Sequence, residues 1–209
     1  KTKFLFFPYS AEERFFKAAR TTKERDPKIL VVGSVITEEL DNKEALKEEF
    51  GNTLINPHRV DFYKKFARYP EKIKHIASVY NPLKDIKNGK KNEYLSLDMT
   101  EYYSSYEFFV CPEDITGLPS RNMIEGLAAG CIYFGNENLD YFKYYKFIPY
   151  KHFLPYDGTI EDLIKKWGII KKDKKLILEM RKFINEIIYN YSVENLSRRF
   201  LKTINDLKQ

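Results

Sequence analysis

The stretch GLPSRNMIEGLAAGC, residues 117 to 131, sets Arg121, Asn122 and Glu125 among small and apolar residues. An arginine offers a planar fork of donors suited to an anion. A carboxylate one helical turn further can accept two hydrogen bonds from a vicinal diol such as a ribose. If the stretch opens a helix at the carboxyl edge of a sheet, the free N–H groups of its first turn and the positive end of its dipole add to the pull on a phosphate. Phosphate and diol together describe a nucleotide. The same spacing equally makes an ordinary i, i+4 ion pair between Arg121 and Glu125, worth about 0.2–0.5 kcal/mol. The sequence leaves both readings open.

What must position these residues is an alternation of strands and helices. KILVVGS (28–34) is a short β-branched apolar run ending in Gly, the pattern of a strand buried on both faces. A helix over 37–50, a strand NTLIN (52–56), a helix over 58–70 with Val60, Tyr63, Phe66 and Ala67 at helical spacing, and a strand within 72–80 follow. Beyond a lysine-rich loop at 81–92 come a short helix from Met99, a strand YEFFVC (106–111) and the quoted helix, starting near Pro119 and stopped by Gly130. CIYFG (131–135) and YKFIPY (145–150) supply the last strands. This order predicts an α/β fold with a doubly wound, Rossmann-like parallel sheet. Extra C-terminal helices follow: one capped by Thr159 and ended by Gly168, one over 172–189 with a stripe of Leu176, Met180, Phe183, Ile184 and Ile187, and one capped by Ser192. FLFFPY (4–9) and AEERFFKAAR (11–20) precede the first clear strand, so the expected division is a connection over 1–27 and a domain over 28–209.

With 209 residues, 43% hydrophobic and 32% charged, the chain has the composition of an ordinary soluble domain, and no apolar run approaches the roughly 18 residues that cross a bilayer. Cys111 and Cys131 sit at the ends of apolar runs and read as buried thiols of a reduced, cytoplasmic chain. His58, His75 and His152 lack neighbours at metal-ligand spacing, so no metal site is expected. The excess of 36 basic over 30 acidic residues favours anionic partners: phosphorylated ligands, nucleic acid or acidic lipid. KKDKK (171–175) and KNGKKN (87–92) read first as solvated surface. The 16 Tyr and 16 Phe follow no RNA-binding signature, and nucleic acid is not an expected partner.

The run VCPEDITGLPSRNMIEGLAAGCIYFG (110–135) resembles the nucleotide-sugar-binding half of the GT-B glycosyltransferases. ILVVGS, SLDMTEYYSSYEFFVCPE and YSVENLSRRFLKTI are similar to that half's opening strand, the helix and strand before its donor loop, and its closing helix. The resemblance implies that Glu125 holds the donor ribose. It also implies that the loop from Gly117 through Leu118 and Ser120 to Arg121 and Asn122 covers the diphosphate. Ser34 follows Gly33 where the family often carries a basic residue, and Gly117 stands where it usually carries a sugar-holding acid, a role for which Glu113 or Asp114 are the nearby substitutes.

The implied activity is a hexosyl transfer from a nucleoside diphosphate sugar, such as a UDP- or GDP-sugar, to a glycan or lipid-linked acceptor. No metal or other cofactor takes part, and a lipid acceptor brings a cytoplasmic chain to the membrane surface. An acceptor-binding N-terminal domain, in cis or from another chain, completes such an enzyme. No residue is singled out as general base. A noncatalytic nucleotide-sugar binding module is the alternative, and a basic nucleic-acid-associated α/β protein the third reading.

Overall fold

Ile29, Leu30 and Val31 are buried together, as a strand must be when helices cover both faces of its sheet. In the computed structural model, which describes residues 8–20, 24–36, 43–54, 56–76, 89, 97–114, 116–118, 120–138 and 140–207, they belong to β1 (Asp26–Val31). β2 (Ile73–His75), β3 (Tyr106–Val110), β4 (Ile132–Asn136) and β5 (Leu154–Tyr156) complete a five-stranded sheet of order β2-β1-β3-β4-β5, parallel throughout. The chain has the expected α/β, Rossmann-like architecture.

Nine α-helices are formed by the described residues: α1 (Glu13–Ala18), α2 (Lys43–Phe50), α3 (Pro57–Phe66), α4 (Met99–Ser105), α5 (Asn122–Ala128), α6 (Tyr141–Tyr144), α7 (Ile160–Ile170), α8 (Lys174–Ile188) and α9 (Val193–Leu207). Side chains alternate across a strand, so Phe109 and Tyr133 face one side of the sheet and Phe108 and Phe134 the other. Phe109 meets Tyr103 of α4 and the backbone of Gly126 in α5, while α1 and α8 pack against α5. On the opposite face Phe62 of α3 meets Tyr156, and α3 packs on α7. Ala11, Phe15 and Phe16 share the same core, and Ala11 bridges to Ser192 at the start of α9. β1 spans residue 27, and Ala11, Phe15 and Phe16 lie in the same core as Ile29, Leu30 and Val31.

Several local expectations change. NTLIN is not a strand in its described residues: the Asn52 side chain accepts from Leu54 N at 2.9 Å, a local turn that competes with sheet pairing, and Ile55 lies outside the described residues. YKFIPY is a turn, with Lys146 and Tyr150 at φ 54° and 59°, and the strand role passes to Leu154–Tyr156. The helix of the quoted stretch begins at Asn122, later than Pro119, which lies outside the described residues. Gly168 is inside α7, where no neighbour crowds it, and the helix continues to Ile170. The lysine-rich loop at 81–92 lies outside the described residues except Gly89, as do residues 37–42 of the first predicted helix. Thr159 and Ser192 cap as expected, accepting from Asp162 N and Asn195 N at 3.2 Å each. No helix among the described residues is long and apolar enough to cross a membrane.

Candidate functional site

β1 and β3 run together to the carboxyl edge, where Val32 N still donates to Val110 O at 3.1 Å. Beyond it the chain leaves β1 towards α3 and β2, and leaves β3 towards α5 and β4 on the other side. This is the switch point at which open α/β sheets hold ligands. Gly33 turns here with φ +118°, and a Cβ on it would stand 3.0 Å from Arg59 Nε. Glycine thus permits both the left-handed backbone and the approach of a guanidinium from α3. Arg59 Nε donates to Pro112 O at 2.8 Å, and its terminal nitrogens lie 3.5 Å from Ser34 O and 3.9 Å from Cys111 Sγ. One cation therefore touches both banks of the crevice. Asn56 fixes the bank after β1, donating to Ser34 O at 3.1 Å and accepting from Ile36 N at 3.2 Å.

The opposite bank is built by the loop into α5. Cys111 Sγ lies 3.1 Å from Ser120 Oγ and 3.8 Å from Asn122 Nδ2. Ser34, Ser120 and Asn122 are therefore gathered around Arg59 and Cys111. The loop amides largely serve the loop itself: Asn122 N donates to Ser120 Oγ at 3.2 Å, Met123 N to Ser120 O at 3.1 Å, and Gly117 N to Asp114 O at 3.1 Å, with Gly117 at φ +70°. A turn at Ser120 and Arg121 opens α5, so these amides already have partners. Leu118 is exposed.

Glu125 and Arg121 occupy the flank of α5. Arg121 Nε lies 2.8 Å from Glu125 Oε1; the Arg121 side chain is 62% exposed, while Glu125 is only 3% exposed. The i, i+4 ion pair is formed. Burial raises the Glu125 carboxyl above its ordinary value, opposed by the nearby charges of Arg121 and Arg14, while Glu12 pushes the same way as burial. The groups that act on this carboxylate thus lie on its own helix and at the start of α1.

Two acidic residues stand upstream of Gly117. Glu113 is 1% exposed and accepts from Tyr141 Oη at 2.7 Å. Tyr141 Oη in turn lies 3.4 Å from Tyr133 Oη, which donates to Cys111 O at 3.4 Å. Burial raises the Glu113 carboxyl, against the hydrogen bond from Tyr141. Asp114 accepts from Thr116 N at 2.9 Å in its own turn. Sequence reasoning missed Arg59 because it is 26 residues beyond Gly33, and only packing of α3 across the sheet end joins them. It missed the Tyr141 link to Glu113 for the same reason. Among the described residues no group of three or more His, Cys, Asp or Glu is arranged to hold a metal ion.

No family model matches the chain, and no curated protein matches it. Among solved structures it is similar to a sucrose-phosphate synthase from Thermosynechococcus elongatus, at 14% identity and a TM-score of 0.51 over 96% of this chain and 52% of that one. The chain thus spans about half the length of that protein. A second match, to TarM, has 13% identity and a TM-score of 0.46 over 95% of this chain and 37% of the other. At these identities the first match bears on the fold.

Proposed function

We propose that this chain is the donor-binding half of a glycosyltransferase, taking a nucleoside diphosphate sugar at the edge between β1 and β3. The observation that supports this most is Arg59, held across the switch point against Gly33. A guanidinium there meets a diphosphate with a charge-assisted fork and stabilises the negative charge that builds as the sugar leaves. Ser120 and Asn122 add polar groups on the facing bank, and Glu125 holds the ribose diol once the exposed Arg121 side chain yields its carboxylate. The shared fold with a sucrose-phosphate synthase and the resemblance of residues 110–135 to GT-B donor sites favour this reading over a nucleic-acid-associated one. The acceptor is then bound by a second domain, in cis or from another chain.

Titration calorimetry with UDP, GDP and the corresponding nucleosides tests the reading. One diphosphate should bind at least about tenfold tighter than its nucleoside, and Arg59→Gln should remove most of that difference. Equal affinity for nucleoside and diphosphate in the unaltered chain would overturn it.

A further inference from the structure

The KKDKK segment takes no part in the switch-point crevice. It joins α7 to α8, and residues 162–176 hold six lysines against two aspartates. The acids are engaged locally: Asp162 pairs with Lys166 at 3.0 Å, and Asp173 caps α8 by accepting from Leu176 N at 2.9 Å. Lys166 is further held by Glu137 at 3.2 Å, and Lys171 lies 3.7 Å over the Trp167 ring. Lys165, Lys172, Lys174 and Lys175 extend into solvent around them.

Beside these lysines lies a groove of about 400 Å³, with Tyr150, Ile169, Ile170 and Leu176 as its apolar wall and Asp162, Lys165, Lys166 and Asp173 as its charged lining. Ile169 and Tyr150, which share the groove wall, are 68% and 51% exposed, and Ile148, two residues before Tyr150, is 49% exposed. Tyr150 is presented by a tight turn in which Tyr150 N donates to Phe153 O at 2.8 Å and Ile148 N to His152 Nδ1 at 2.9 Å. The turn holds Tyr150 at φ 59°, a conformation that costs a bulky residue energy, and leaves it 51% exposed.

We propose that this corner, formed by the 148–150 turn and the α7–α8 junction, is a docking surface for an anionic lipid bilayer. Ile169, Ile148 and Tyr150 enter the headgroup boundary while the lysines meet the lipid charges, the division of labour of interfacial binding. All six cations are lysines. Their ammonium groups act as flexible point charges, and clusters of four to eight basic residues beside an apolar face are attracted to anionic headgroups. The proposal does not depend on the sugar-nucleotide reading.

Sedimentation of the full chain with phosphatidylcholine vesicles, with and without about 30% phosphatidylglycerol, tests it. Binding should require the anionic lipid, fall as salt rises, weaken at least about 100-fold in K172E/K174E/K175E, and weaken several-fold in Ile169→Ser. All four positions are exposed, so unchanged thermal unfolding of the variants checks the fold. Equal binding to neutral vesicles, no binding, or binding indifferent to both variants would overturn the proposal. So would polyglutamate or an oligonucleotide binding more tightly than the vesicles through the same lysines.

Discussion

Two buried carboxyls, Glu113 and Glu125, flank the candidate site. Glu113 is enclosed, with Tyr141 donating to it, and its carboxyl is raised by burial. A carboxyl raised in the folded chain contributes stability that is complete below its unfolded value and is lost as pH rises through the folded one. Glu113→Gln keeps the acceptor for Tyr141 without the charge. It should match the parent near pH 4 and exceed it in urea-unfolding stability at pH 8, and equal stability at both would show that the buried carboxyl carries no charge cost. His75 has the opposite sense. Its ring stacks on Phe66 at 4.6 Å, and burial lowers it from 6.5 to about 4. The unfolded chain then binds the proton first, so stability is complete above about pH 6.5 and falls as pH drops towards 4, by at most about 3 kcal/mol and less for a ring that water partly reaches. His75→Phe should flatten the urea-midpoint profile across that window.

The elements that aim these residues were legible where burial alone decides. β-branched and aromatic runs gave β1, β3 and β4, and capping residues gave the starts of α7 and α9, because those signals are local. Asn52 turned an apolar-looking run away from the sheet, and the left-handed Lys146 and Tyr150 did the same for YKFIPY; neither choice follows from periodicity. Glu125 and Arg121 were visible as a pair at helical spacing, but Arg59 was not, since its place depends on how α3 crosses the sheet end. Close packing of α5 on β3 fixes the rest. A Cβ on Gly126 would stand 2.4 Å from the Phe109 ring. Gly126→Ala should therefore cost about 1–3 kcal/mol in unfolding free energy. Gly126→Ala with Phe109→Leu should recover part of it, and additive losses in the double variant would contradict this contact.

At the scale of the whole molecule, one sheet edge and one basic corner are separate surfaces. The six lysines of residues 162–176 lie on α7, α8 and their junction, whereas the crevice is built by β1, α3 and the loop from β3 into α5. A ligand bound as proposed at the β1–β3 edge would touch α3, the loop after β3 and α5 at once. It should stabilise the whole chain by mass action, by about 2.7 kcal/mol at a hundredfold excess over its Kd. The central claim is that the nucleotide's ribose is held by Glu125. Its most direct test is titration of UDP and GDP against their 2′,3′-dideoxy forms. The parent chain should bind the preferred diphosphate at least about tenfold more tightly than its dideoxy form, and Glu125→Ala should bind both with equal, weaker affinity. A parent chain indifferent to the diol, or a Glu125→Ala variant that still discriminates, would contradict the account.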